Sequence, residues 1–190
     1  MDAFEREQLE ILKLSDKVRY EKSIHTTEKH HRYVEIVKNY LEKYVSSNFE
    51  LVEHSYLEGF PGKFHLIMVK KDSRPVASEK TPCYRLEAIA AVIEIRGSGL
   101  VNYKDRLEEN VKTKRTRFED IKAINKNIKC LYLTLQEREI TKGTNYDQLS
   151  KKHLGSNYFC LRESTTQTAK AAEWKRFVRA LLDLKEAYVL

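Results

Sequence analysis

A chain of 190 residues, 41% hydrophobic and 33% charged, has the size and balance of one globular domain with a substantial core, and it carries no repeat or low-complexity tract. Lys and Arg total 35 against 28 Asp and Glu, and the net charge of +7 suits a polyanionic partner such as nucleic acid without requiring one. No apolar run is long enough to cross a membrane or serve as a signal peptide, and Cys83, Cys130 and Cys160 are too few and too scattered for a disulfide framework or a zinc site, so the expectation is a cytoplasmic protein with reduced thiols.

Residues 2–20 read as a charged helix with Phe4, Leu9, Leu12 and Val18 on its apolar stripe, an arm that packs on the body or on a protein partner. A second helix is expected after the N-cap pair Thr26 and Thr27, with Tyr33, Val37, Tyr40, Leu41 and Tyr44 at helical spacing and an end at Ser46, Ser47 and Asn48. Residues 49–57 and 64–69 read as two strands joined through the turn Gly59-Phe60-Pro61-Gly62, a hairpin. Residues 72–82 form a polar connection that holds two of the three prolines.

The run from Ala88 to Ile95 is continuously apolar but for Glu94, as expected of a strand buried on both faces, and Arg96 follows just before Gly97 and Gly99. Strand alternation puts Glu94 and Arg96 on one face, where the two charges pair with each other, reach water, or hold a ligand. Residues 103–128 read as one long helix or two shorter ones, with Leu107, Val111, Phe118, Ile121, Ile124 and Ile128 as apolar positions. Its basic residues include Lys112, Lys114, Arg115 and Arg117, which read either as a solvated face or as a phosphate-binding surface. Residues 129–135 read as a central strand, 141–145 as a loop, 158–161 as a peripheral strand, and 169–188 as a final helix with Trp174 as a core anchor.

Other residue types offer less. No glycine-rich phosphate loop or nucleophile elbow is present, and the cluster of His25, His30 and His31 reads as solvated or capping residues, except that His30, near the apolar stripe of its helix, reads as a hydrogen-bonded core histidine with a site residue as the alternative. Glu35 and Glu42 fall on the face opposite that stripe, and Glu58 and Asp72 flank the second strand as turn carboxylates.

The order helix, hairpin, buried third strand, helix, strand resembles the α-β-β-β-α-β core of the PD-(D/E)XK, restriction-endonuclease-like nuclease superfamily. Residues 30–37, the hairpin, the segment 91–96 and Tyr132-Leu133-Thr134 are similar to uncharacterised bacterial members filed as a domain of unknown function, over residues 29–161. The resemblance implies an α/β fold with a mixed central sheet: a helical arm at 1–25, a nuclease-like core at 26–163 and a C-terminal helix at 164–190, within one domain. It also implies a metal-dependent endonuclease acting in restriction or defence, with nucleic acid as partner, DNA favoured, and Mg²⁺ or Mn²⁺ as cofactor.

In that superfamily an acid on the second strand and the Glu of a Glu-x-Lys triplet bind the metal, and the lysine positions or activates the attacking water. Glu94 matches the Glu, Arg96 stands at the lysine, and His65 stands at the first acid. The catalytic set implied is thus Glu94, Arg96 and His65, the metal ligands Glu94 and His65, and the nucleic-acid-binding set Lys112, Lys114, Arg115 and Arg117. Arginine keeps its proton but forks onto phosphate, and histidine ligates transition metals better than Mg²⁺. The alternative is an inactive pseudo-nuclease that binds nucleic acid or protein while Glu94 and Arg96 form an internal ion pair.

Overall fold

A computed structural model describes residues 1–76, 81–97, 104–136, 139–141, 144–162 and 169–182, with side chains undescribed at 104–107 and 139–147. Helix α1 (Ala3–Tyr20) starts in a capping box, in which the Asp2 carboxylate accepts the Glu5 N–H and Glu5 accepts that of Asp2, each at 2.9 Å. Its apolar stripe differs from the expected one: Ile11, Leu12 and Val18 are buried, whereas Leu9 lies half exposed. Helix α2 (Thr26–Leu41) follows with His25, not a threonine, at the N-cap, and it buries Tyr33, Val34, Val37 and Leu41. It ends at Leu41, before the expected Ser46.

Strands β1 (Phe49–Leu57) and β2 (Phe64–Lys70) form the expected antiparallel hairpin. The short β3 (Cys83–Tyr84), at the end of the stretch read as a polar connection, pairs parallel with the end of β1. Then come β4 (Ile89–Arg96), a single long helix α3 (Lys104–Ile124), and β5 (Lys129–Thr134). A small hairpin of β6 (Glu139–Thr141) and β7 (Thr144–Asn145) occupies the expected loop, and α4 (Tyr146–Leu154) is a helix the sequence pattern left open. Strand β8 (Tyr158–Cys160) and helix α5 (Glu173–Leu182) complete the described chain, and the part of the expected last helix beyond 182 lies outside the described residues.

The six-stranded sheet has the order β3-β1-β2-β4-β5-β8, antiparallel from β1 through β4 and parallel from β4 through β8. One face packs against α1, α2 and α5, with Leu66, Met68, Ile93, Ile95 and Leu133 opposite Ile11, Val34, Val37, Trp174 and Phe177. The other packs against α3 and α4, with Phe64, Ile67, Val92, Cys130 and Tyr132 opposite Val111, Phe118, Ile121 and Leu154. Every residue of β4 except Arg96 is buried, the double-sided coverage its composition implies. Ile124, placed on the expected apolar side of α3, is exposed at the helix end.

Candidate active site at the end of the third long strand

The outer sheet departs from simple alternation at two facing histidines. On β1, Leu51 packs toward α2 and Val52 toward α3, yet Leu57 packs toward α3; on β2, Leu66 and Met68 pack toward α2, yet Phe64 packs toward α3. Both changes of phase fall between the cross-strand pairs Glu53↔Leu66 and Ser55↔Phe64, at His54 and His65. His54 takes a left-handed backbone conformation, φ 49°, inside a strand, which costs a non-glycine residue of the order of 1–3 kcal/mol and turns the strand as a bulge does. The ladder between β2 and β4 stops at Leu66↔Ile93, and the His65 ring stands in for the next backbone acceptor, taking the Ile95 N–H on Nδ1 at 2.9 Å.

Where the ladder opens, Glu94 is fully buried. Its Oε1 accepts from Lys114 Nζ at 2.5 Å and from Arg117 Nη1 at 3.2 Å, while Oε2 lies 2.7 Å from His65 Nδ1. Burial by itself pushes the Glu94 carboxyl upward; the contact with His65 and the ammonium of Lys114 outweigh it and bring it down to about 2. Nδ1 has two claimants, because a ring nitrogen that accepts the Ile95 N–H has no proton to give the carboxylate. With Nδ1 bare, Oε2 has no donor among the described residues; with Nδ1 protonated it accepts from the ring, the arrangement in which the contact lowers the carboxyl.

Arg117 is fixed on three sides: by Glu94, by the Gly62 carbonyl at 3.2 Å, and by the Phe64 ring, whose centroid lies 4.0 Å from the guanidinium carbon. Lys114 and Arg117 therefore turn into the protein, while Lys112 and Arg115 face outward and pair along the helix with Glu108 at 3.1 Å and Glu119 at 2.7 Å. The internal ion pair of Glu94 is made with α3, not with Arg96 as the pseudo-nuclease reading had it. Arg96 sits partly exposed at the strand end, in register with Thr134, whose buried hydroxyl has no hydrogen-bond partner among the described residues.

The signal for the two inward cations lies in their spacing. Val111, Phe118 and Ile121 are buried on α3, and Lys114 falls in the same row, three after Val111 and four before Phe118. A cation on an apolar stripe must meet a buried anion, and Glu94 is the one that β4 presents.

Behind the carboxylate lies a group of four imidazoles. His30 and His65 have ring centroids 4.3 Å apart, His31 and His54 are 4.2 Å apart, and His54 lies 6.3 Å from both His30 and His65. His30 is thus a half-buried site neighbour, while His31 is exposed, as a solvated residue, with its ring beside that of His54. Burial, then the neighbouring His65 and His54, lower His30 to about 4, and burial with His31 and His65 lowers His54. The Nε2 atoms of His30 and His54 are buried without a hydrogen-bond partner among the described residues. The other acids stay apart: Glu58 is exposed beside Arg85 at 3.7 Å, Asp72 is exposed beyond the far end of β2, and Glu35 and Glu42 are exposed on α2 and just after it.

As to a metal, Glu94 Oε2 is the open oxygen, and His65 joins it through Nδ1 only by releasing the Ile95 N–H, a carboxylate and imidazole set that suits Mn²⁺ better than Mg²⁺. Among the described residues no group of three or more His, Cys, Asp or Glu is arranged to hold an ion, so water and phosphate oxygens would complete the shell.

No protein-family model matches the chain, and no curated protein matches it in sequence. Solved structures do. NucC from P. aeruginosa ATCC27853 in its cAAA-bound form superposes with a TM-score of 0.67 at 12% identity, over 97% of this chain and 90% of that one. NucC from E. coli MS115-1, also cAAA-bound, gives a TM-score of 0.54 at 12% identity over 69% of this chain, which spans only 60% of that one. Element order, strand order and these neighbours agree, and the chain has a restriction-endonuclease-like fold.

Proposed function

We propose that the chain is a metal-dependent nuclease of the PD-(D/E)XK type, acting on phosphodiester bonds of nucleic acid, DNA in the first place, in restriction or defence. The observation that carries this reading is the Glu94 carboxylate, fully buried where β2 and β4 part, with one oxygen held by two cations and the other facing the His65 nitrogen. Glu94 and His65 would hold the metal, which when bound supplies a Lewis acid for the scissile phosphate and a more acidic water. Arg96, partly exposed at the end of β4 two residues from Glu94, would fork onto a phosphate. The outward Lys112 and Arg115 neutralise flanking phosphates, exchanging modest helix ion pairs for the nucleic-acid backbone.

The test is cleavage of supercoiled, linear and single-stranded DNA and of RNA, in Mg²⁺ and separately in Mn²⁺. Each is run with and without cAAA, the ligand in both neighbours' structures. Cleavage is expected on DNA, faster in Mn²⁺, and absent in Glu94→Ala. No cleavage of any substrate under every condition would overturn the reading, and a salt-sensitive shift of uncut DNA would then assign a binding module instead.

A further inference from the structure

The motif position that should hold a lysine holds Arg96, whose guanidinium keeps its proton and is too broad to mimic an ammonium at a single water. The other groups around Glu94 are committed. His65 Nδ1 is taken by the Ile95 N–H or, in the nuclease reading, by the metal, and Arg117 is spread between Glu94, the Gly62 carbonyl and the face of Phe64. Lys114 differs from both. Its ammonium has three N–H donors, of which Glu94 Oε1 takes one at 2.5 Å; the others have no protein partner among the described residues, and the side chain is 25% exposed. A compact cation with spare donors thus stands beside the buried carboxylate, delivered by a helix across the sheet face and not by the strand.

We infer that Lys114 fills the place of the displaced motif lysine: it holds the attacking water beside Glu94 and touches the phosphate as charge builds on it. This rests on the nuclease reading above. In the step the water oxygen bonds to phosphorus while the bond from phosphorus to the leaving oxygen breaks. The water's proton passes to solvent and the leaving alkoxide takes one from solvent. Lys114 remains an ammonium throughout, donating to the entering oxygen and to the phosphate oxygens.

A purely structural Lys114 would only neutralise Glu94, a duty Arg117 already shares at the same oxygen. The two roles separate in a set of variants assayed for DNA cleavage in Mn²⁺, with melting temperature measured in parallel. Lys114→Met is expected to cut at least about 100-fold more slowly than wild type. Lys114→Arg keeps the charge and the ion pair, so it is expected to melt with wild type and yet to lose rate as Lys114→Met does. Restoring a lysine at the motif position, in the double variant Lys114→Met with Arg96→Lys, is expected to return the rate to within about 10-fold of wild type. A wild-type rate in Lys114→Met or Lys114→Arg, or a double variant as slow as Lys114→Met, would overturn the assignment and leave the nuclease reading standing. No cleavage by wild type in any condition overturns both.

Discussion

Gly97, the residue after β4, lies where only a hydrogen fits. A Cβ built on it would come within 2.2 Å of two carbons of the Tyr33 ring, and that ring is only 5% exposed in the core of α2. Neither partner can yield, since the glycine continues the most deeply buried strand and the tyrosine is packed on every side. Gly97→Ala is expected to cost about 1–3 kcal/mol, as overpacked cores do, seen as a lower urea midpoint at an unchanged slope. Tyr33 lies three residues beyond His30 on α2, so the same overlap would press the helix that carries two of the four imidazoles. An alanine variant with the wild-type midpoint would show that the strand end has room the packing denies.

At the scale of elements, the site exists because α2, the hairpin, β4 and α3 each deliver one part to the opening between β2 and β4. The imidazoles from α2 and β1 make that junction acid-sensitive. His30 titrates near 4 in the folded protein against about 6.5 unfolded, so between these values the unfolded chain binds more protons. The stability this group contributes is full above about pH 6.5 and is lost as pH falls through 4. The Glu94 carboxyl, depressed to about 2, adds a second loss below about pH 4.5. Urea unfolding at pH 7, 6 and 5 is expected to show a falling midpoint in wild type and a shallower fall in His30→Gln; parallel slopes would remove His30 from the account.

The longer strands and the longer helices were legible in the sequence because hydrophobic period is a local property. Glu94 was legible as a charge on a strand whose other residues are apolar. The imidazole group was not, because it depends on a left-handed residue, His54, that reverses the phase of β1, and no alternation rule anticipates a histidine there. Nor was the inward turn of Lys114, although its place in the row of Val111 and Phe118 is visible in hindsight: basic residues at 112, 114, 115 and 117 surround α3, and the composition hides which two face the sheet.

The whole molecule is closed by its first helix. Gln8, 3% exposed, donates its amide to the Leu161 carbonyl at 3.0 Å and the Lys170 carbonyl at 2.6 Å, and it accepts the Trp174 N–H at 3.0 Å, joining α1 to the end of β8 and the start of α5. The preceding residue, Glu7, accepts from the Trp174 indole at 2.9 Å and from the Tyr44 hydroxyl at 2.6 Å. Burial alone would raise the Glu7 carboxyl, but these bonds and Lys43 lower it. The arm is therefore fastened by polar side chains around an apolar stripe, and Trp174, the single tryptophan, sits at the joint. Gln8→Leu keeps the bulk but strips the Trp174 N–H of its partner and takes one donor from the Leu161 and Lys170 carbonyls. An N–H so left buried costs about 1–3 kcal/mol. The arm should then detach before the sheet melts. In wild type, the red shift of tryptophan emission and the loss of far-ultraviolet circular dichroism are expected to coincide in urea; in Gln8→Leu the emission should shift at a lower concentration than the circular dichroism. Coincident transitions at the wild-type midpoint would mean that the stripe of Ile11, Leu12 and Val18 holds the arm without Gln8.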